Sequence, residues 1–179
     1  EIQDDTTVTI HILNSNDPPF SDSEMYLRID ENTIGFTDFL VKARDEDSQS
    51  LAWGQLSFSL SALDGVSAET NFAVDDFNAT HAKIRTIKEL DYETDRVFQT
   101  LLTVTDGGIG SEASDDTTSI VIIYLNDLNE RPFFVTTMLR FFSPENVELG
   151  AAVGQAFADD FDDANHVDGF GALTFSIIA

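Results

Sequence analysis

The chain has 179 residues, 42% of them hydrophobic, with fifteen Phe and a single Trp, which is enough apolar material for compact cores. Its 33 acidic residues against 9 basic ones give a formal net charge of −24, which excludes nucleic acid as a partner because phosphates would be repelled. No apolar run approaches the about 20 residues of a membrane helix, so this segment is not expected to insert into a membrane. The absence of Cys excludes disulfides.

The predicted elements are short strands. Residues Thr7 to Ile12 alternate polar and apolar side chains, the period of a half-buried strand. A connector rich in Asn, Asp and Pro follows, from Leu13 to Phe20. Further strands are predicted over Met25 to Ile29, Thr37 to Ala43, Leu56 to Leu60, Phe72 to Asp75, Lys83 to Ile87, Val97 to Thr105, Thr118 to Leu125 and Leu173 to Ile178. Many short strands with little helical period predict an antiparallel β-sandwich.

An internal repeat sets the domain organisation. Glu31-Asn32 recurs as Glu145-Asn146, Asp45 with Asp47 recurs as Asp160 with Asp162, and the segment around Leu56 recurs around Leu173. The offset drifts only from 114 (31 to 145) to 117 (56 to 173), as loop-length differences would produce. We therefore expect the last strand and linker of one domain over 1–17, a complete domain over 18–130 and the first part of a third over 131–179.

The acidic residues are clustered at the ends of these elements. In the extended connector after Leu125, Asp127 and Asn129 project to the same side, so that their oxygens can converge on one hard cation. Ca²⁺ takes six to eight oxygen ligands from carboxylates, amides and carbonyls. The clusters therefore indicate sites for divalent cations, although a solvated acidic surface is the simpler alternative.

The landmarks together resemble the extracellular cadherin repeat, over essentially the whole chain. The resemblance is carried by Glu31-Asn32, Asp45-Glu46-Asp47, Leu90-Asp91-Tyr92-Glu93, Asp106-Gly107-Gly108 and Asp127-Leu128-Asn129-Glu130-Arg131-Pro132, in that order. It implies an all-β fold of tandem seven-stranded Greek-key β-sandwiches of immunoglobulin-like architecture, with Ca²⁺ bound between successive repeats. Each motif alone has a plainer interpretation, such as a polar turn for Leu90 to Glu93 or a hairpin turn for Asp106 to Gly108.

Two connectors are then expected to bind Ca²⁺, the first connector from Leu13 to Phe20 and the second connector from Asp127 to Pro132. The second is expected to use Glu31, Asp91, Glu93, Asp127, the Leu128 carbonyl, Asn129, Glu130, Asp160 and Asp162. The first is expected to use Asn14, Ser15, Asn16, Asp17, Asp45, Asp47 and Asp106. Asp159 and Asp163 could substitute for Asp160 and Asp162, and Glu145 is expected to serve a third linker.

Both connectors depart from the family pattern. Each is one residue shorter than the usual Asp-x-Asn-Asp-Asn-x-Pro, Glu130 replaces the usual second Asp, and Asn14 stands where an acid is expected. The sequence therefore leaves open whether each linker binds two or three Ca²⁺ ions.

These features predict an extracellular or cell-surface segment of a larger chain, membrane-anchored or secreted, in which Ca²⁺ stiffens the array. Its partners are expected to be the neighbouring repeats and a homophilic or heterophilic cell-surface protein; a passive spacer in a long filament or stalk is the alternative. Three dispersed His residues and no recognisable nucleophile predict that it is not an enzyme. Asn78-Ala79-Thr80 matches an N-glycosylation acceptor, which would make the chain a glycoprotein.

Overall fold

The structure is a computed structural model that describes residues 6–47, 49, 51–63, 71–108, 113–162 and 169–177. Its regular elements are all strands: β1 (Phe20–Ser21), β2 (Glu24–Asp30), β3 (Gly35–Arg44), β4 (Ser57–Ala62), β5 (Phe72–Asn78), β6 (His81–Thr86), β7 (Val97–Thr105), β8 (Asp116–Asn126), β9 (Phe133–Phe134) and β10 (Ala158–Asp159). Among the described residues there is no helix of a length and apolarity that would cross a membrane.

Eight of these strands form two four-stranded sheets, with orders β1-β3-β6-β5 and β2-β8-β7-β4. The hairpins β5-β6 and β7-β8 each stay within their own sheet, whereas the chain crosses between sheets from β2 to β3, from β3 to β4, from β4 to β5 and from β6 to β7. These crossings give a Greek-key sandwich. Because β1 and β2 are separated by only two residues and lie in different sheets, they are two halves of one interrupted strand. Counted in this way, the sandwich has the predicted seven strands.

The core lies between the two sheets and follows from the alternation of side chains along each strand. In β2 the buried positions are Met25, Leu27 and Ile29, and in β8 Val121, Ile123 and Leu125 are buried at the same spacing. From the opposite sheet, Val41, Ala82 and Ile84 contribute to the same cluster. The period-2 pattern therefore specifies which face of each strand is buried.

Three details of the strand prediction are wrong. Residues 7–12 form no strand, and Val8, Ile10 and Ile12 are all exposed, because no described strand pairs with this segment and an isolated strand cannot satisfy its backbone. The described part of the predicted strand from Leu173 to Ile178 is also irregular, and Ile178 lies outside the described residues. Finally, the sandwich is not wholly antiparallel, because β2 pairs with β8 in parallel.

The parallel pairing of β2 and β8 determines where the second connector lies. The register matches Asp30 with Asn126, so both strands end at the same level of the sheet. The pairing continues one residue further, where the Glu31 backbone N–H donates to the Asn126 carbonyl at 3.2 Å. Since Asp127 follows Asn126 directly, the fold places the first residue of the connector beside Glu31.

Candidate metal centre

The carboxylate of Glu31 is the buried centre of the second connector. Its side chain is fully buried, and both of its oxygens accept backbone hydrogen bonds. Oε1 accepts from the Leu128 N–H at 2.7 Å and Oε2 from the Tyr92 N–H at 2.8 Å. Glu31 therefore joins the end of β2 to the connector and to the turn that contains Asp91 and Glu93.

The turn after Leu90 presents Asp91 and Glu93 to the same place. Leu90 is buried and its carbonyl accepts from the Asn32 N–H at 2.9 Å, which fixes the turn against the end of β2. The Asp91 carboxylate accepts from Thr94 Oγ1 at 2.7 Å and from the Glu93 N–H at 3.1 Å. The Thr94 hydroxyl is the main reason why the pKa of Asp91 is lowered. Asp91 is thus held as a carboxylate in a fixed orientation.

The structure brings the predicted acids into two overlapping groups. Oxygens of Glu31, Asp91 and Glu93 lie within 4.8 Å of one another, and so do oxygens of Glu93, Asp127 and Asp162. Glu93 belongs to both groups. The two clusters therefore form one continuous acidic centre that runs from the end of β2, across the connector, to the segment that follows β10.

The remaining predicted residues of this connector lie beside the two groups. The backbone N–H of Glu130 donates to Asp162 Oδ2 at 2.9 Å, and the Asp162 N–H donates to Asp160 Oδ1 at 3.2 Å. Asn129 Nδ2 donates to the Glu130 carbonyl at 3.0 Å. Asp160 and Glu130 are not members of either three-carboxylate group, and Leu128 contributes a backbone N–H bond to Glu31. Of the two alternatives to this pair, Asp159 also lies outside both groups, and Asp163 lies outside the described residues.

Several buried oxygens of this centre lack a hydrogen-bond donor. Within the described part of the chain, no donor reaches Glu93 Oε2, Glu130 Oε2 or Asp162 Oδ1. Burial raises the pKa of Glu93 to about 7, and the negative charge of Glu31 adds to this effect. Burial also raises the pKa of Glu130, and repulsion from the negative charges of Glu31 and Asp162 adds to this rise. The centre therefore holds more negative charge and more acceptor oxygens than the protein itself compensates.

The donor set limits the ligand that such a centre can take. Both groups consist only of carboxylates, without His or Cys, so they favour a hard cation over zinc or copper. The carboxylates come from four separate segments, and a cation bound among them would join these segments. Because Asp162 lies beyond the connector, such a cation would also fix the connector to the following part of the chain.

The first connector gathers its predicted residues differently. Asn14 Nδ2 donates to Asp47 Oδ1 at 2.7 Å, and Asn16 Nδ2 donates to Asp106 Oδ2 at 2.9 Å. Asp47 and Asp106 are buried, whereas Ser15 is exposed. No group of three carboxylates is found here among the described residues. At the first connector, side-chain amides of Asn14 and Asn16 donate to carboxylate oxygens. At the second connector, comparable carboxylate oxygens have no donor among the described residues.

Two hydrogen bonds are nevertheless common to both connectors. The Asp17 N–H donates to Asp47 Oδ2 at 2.9 Å, as the Glu130 N–H does to Asp162. The Asp47 N–H donates to Asp45 Oδ1 at 2.8 Å, as the Asp162 N–H does to Asp160. Burial raises the pKa of Asp45, and the negative charge of Asp47 contributes as well.

Three residues at these sites were not predicted. Asp115 accepts from Asn16 Nδ2 at 3.3 Å, and its N–H donates to Asp106 Oδ1 at 2.8 Å. Asn32 adopts a left-handed φ of 55°, which Asn tolerates, and its Nδ2 donates to Glu130 Oε1. Thr94 orients Asp91. The only sequence signal for Asp115 was an acidic pair at the start of β8. Asn32 was named as part of the Glu31-Asn32 motif but not as a site residue, and polar residues next to carboxylates are too common to single out Thr94.

Comparisons with known proteins identify relatives over nearly the whole chain. The mouse protein Cadherin-related family member 2 is 33% identical over 176 residues, which are 96% of this chain and 12% of the relative. Human Cadherin-5 is 29% identical over 161 residues, covering 88% of this chain and 19% of the relative. The chain therefore spans less than a fifth of the length of either relative. No family model matches the sequence.

Solved structures show the same relationship. Human CDH23 EC21-23 superposes with a TM-score of 0.61 at 25% identity, covering 86% of this chain and 49% of that one. Protocadherin Gamma C5 EC1-3 gives a TM-score of 0.58 at 26% identity, covering 85% and 48%. In sequence and in fold, the chain belongs to the extracellular cadherin repeats.

Proposed function

We propose that this chain is a calcium-binding stretch of tandem extracellular repeats, in which Ca²⁺ at the connectors stiffens the array for cell adhesion. Residues 1–17 are the end of one repeat, residues 18–130 are a complete repeat, and residues 131–179 are the beginning of a third. Two hydrogen bonds occur in the same form at both connectors, and they support this division. The first is donated by the N–H of Asp17 at one connector and of Glu130 at the other, and the second by the N–H of Asp47 and of Asp162.

The observation that carries the proposal is the pair of carboxylate groups that share Glu93. Carboxylate charges within 4.8 Å repel one another strongly unless a cation lies between them. Their unsatisfied oxygens are the ligands that Ca²⁺ accepts at 2.3–2.6 Å in flexible geometry. The geometry supports two ions at the second connector. The number bound at the first is a matter for titration, because no group of three carboxylates is found there among the described residues, although Asp45 Oδ2 is a buried oxygen that no described donor reaches.

The mechanism that follows is a calcium-dependent change in stiffness. Bound Ca²⁺ would hold together carboxylates of one repeat, of the connector and of the next segment, namely Glu31 with Asp91, Asp127 and Asp162. As ligands of the bound ions, they cannot move apart. Without Ca²⁺ the same charges repel, and the connector loosens. Extracellular modules bind Ca²⁺ with dissociation constants of about 10⁻⁴–10⁻³ M. The array is therefore stiff outside the cell and loose when calcium is removed.

Adhesion is favoured over a passive spacer by the outer face of the sheet that contains β2 and β8. Tyr26 is 57% exposed and lies opposite Ile122 in the register, and Val97 is 45% exposed and lies opposite Tyr124. These apolar side chains occupy two neighbouring cross-strand rows of one sheet face, and such a face on an otherwise acidic protein is suited to contact with another cell-surface protein. Cadherins and protocadherins are adhesion proteins rather than enzymes, in agreement with this role.

The calcium part of the proposal is tested by thermal unfolding of the full chain with Ca²⁺, with Mg²⁺ and with a chelator. Ca²⁺ should raise the melting temperature by many degrees, Mg²⁺ much less, and Asp127→Ala should remove much of the rise. Asp22→Ala is the matched control, because Asp22 is exposed and β2, about 23 Å long at 3.3 Å per residue, separates it from Glu31. An absence of any calcium-specific rise would contradict the proposal.

A further inference from the structure

The tip of the β5-β6 hairpin carries the one Asn-x-Ser/Thr triplet in the 179 residues, Asn78-Ala79-Thr80. Asn78 is the last residue of β5, Ala79 and Thr80 form the turn, and His81 begins β6. Asn78 is exposed. The triplet is the acceptor pattern for N-linked sugar, which is a surface modification of extracellular proteins.

Hydrogen bonds at the tip orient the Asn78 carboxamide. Its Oδ1 accepts from the Thr80 backbone N–H at 3.0 Å and from Thr80 Oγ1 at 3.2 Å. The oxygen is therefore directed into the turn, and Nδ2, the atom that becomes bonded to a sugar, donates no hydrogen bond to the described residues. Because a glycosylated amide keeps its carbonyl oxygen, attachment at Nδ2 would leave both of these bonds intact.

The rest of the tip is held through its main chain. The Ala79 carbonyl accepts from the Leu56 N–H at 3.2 Å, and the Thr80 carbonyl accepts from the Ala43 N–H at 3.0 Å. Both contacts involve main-chain atoms only, and the Asn78 side chain is exposed. A bulky substituent there would displace no packed group, so the folded repeat has room for it.

The position also gives the substituent a role. β5 is the last strand of its sheet, and no described strand pairs with its outer edge. Phe77, next to Asn78, is 59% exposed on this strand. Exposed strand edges are places where chains pair wrongly, and they are commonly covered or made polar. A glycan at Asn78 would cover the end of this edge.

We propose that Asn78 is an N-glycosylation site of the complete repeat, and that its glycan shields the free edge of β5. In the transfer, Nδ2 of Asn78 attacks the anomeric carbon of an oligosaccharide carried on a lipid diphosphate. The new N–C bond replaces the C–O bond to the diphosphate, Nδ2 loses one proton, and the lipid diphosphate leaves. No oxidation or reduction takes place.

The test is to direct the full chain into the secretory pathway of a eukaryotic cell and to analyse the secreted and the retained membrane-enclosed fractions by mass spectrometry. We expect one glycan, removed by peptide N-glycosidase with conversion of Asn78 to Asp. Thr80→Ala should abolish it. Thr80→Ser is the matched control and should keep it, since Ser preserves both the hydroxyl and the acceptor triplet.

Unmodified Asn78 in both fractions would overturn the proposal, as would a glycan that persists in Thr80→Ala. The calcium-dependent melting rise is measured on the same samples with and without the glycosidase, and we expect it to be unchanged because Asn78 is not a member of either carboxylate group. The glycosylation site and the calcium centre are thereby tested independently.

Discussion

The sharpest test of the calcium centre is Glu93→Gln. Glu93 is the single residue common to the two carboxylate groups, and its buried Oε2 has no donor among the described residues. Gln has nearly the same size but carries no charge, so the substitution removes the shared negative charge and one of the two shared ligand oxygens with little change in packing. Asp91→Asn and Asp162→Asn each affect one group only.

The expected magnitude follows from two ions that bind the folded state. Each stabilises by RT ln(1 + [L]/Kd), which is about 1.4–2.7 kcal/mol at about 10 mM Ca²⁺ for a Kd of about 10⁻³–10⁻⁴ M. Two ions together contribute about 3–5 kcal/mol. At roughly 4 °C per kcal/mol for a domain of this size, Ca²⁺ should raise the melting temperature by about 10–20 °C.

The assay is the difference in melting temperature between calcium and chelator for each protein, since this difference cancels effects of the substitution that are independent of metal. We expect Glu93→Gln to lose most of the calcium-dependent rise, and Asp91→Asn and Asp162→Asn to lose about half each. Asp22→Asn, which removes an equal charge outside the centre, should retain the full rise.

The result that would refute this reasoning is a Glu93→Gln variant that loses no more of the rise than Asp91→Asn or Asp162→Asn. In that case the two groups would not share a ligand. A calcium titration that gives the same number of bound ions for Glu93→Gln as for the original sequence would lead to the same conclusion.

Three further predictions concern stability. Glu31→Gln should lower the free energy of unfolding in chelator by about 2 kcal/mol in urea denaturation, because one of the two backbone N–H groups bound by its carboxylate is left without an acceptor. Leu102→Ala, at a fully buried core position, should cost about 2–5 kcal/mol by the same measurement and leave the calcium-dependent melting rise unchanged. Gly107→Ala should cost about 1–3 kcal/mol, because its new Cβ would overlap the Ala52 carbonyl oxygen and backbone would have to move.

Each of these has a result that contradicts it. A Glu31→Gln protein that is more stable in chelator would mean that repulsion from Asp91 and Glu93 outweighs the two backbone bonds. A Leu102→Ala protein that loses its calcium response would mean that the core and the connector are coupled. Unchanged unfolding of Gly107→Ala would mean that the loop around Ala52 adapts without cost.

Much of the molecule was predictable from local sequence. The strands over Met25 to Ile29 and Val97 to Thr105 were predicted from local sequence. The period-2 alternation of their side chains accounts for the faces that are buried, because the direction of a side chain in a strand depends only on its place in the chain. The acids of the two groups were named for the second connector because the order of the motifs resembles a known family, and the structure places them within 4.8 Å of one another in each group. That they bind a metal ion stays a prediction.

The same local argument failed where a strand needs a partner. The alternation in Thr7 to Ile12 is as regular as that in β2, yet this segment is irregular and exposed in the structure. The alternation of side chains does not specify which strands pair. For this reason the parallel pairing of β2 with β8 was also missed.

The sequence by itself thus determined most strands of the sandwich, the alternation that sets their buried faces and the acidic composition of the connectors. Only the tertiary structure decided that Glu93 is shared between two groups, that Asn32 bonds to Glu130 at the second connector and that Asp115 bonds to Asn16 at the first. It also decided that side-chain amides donate to the carboxylates of the first connector. These features depend on distances between residues up to 99 positions apart, such as Asn16 and Asp115, and such distances are fixed by sheet register and not by local pattern.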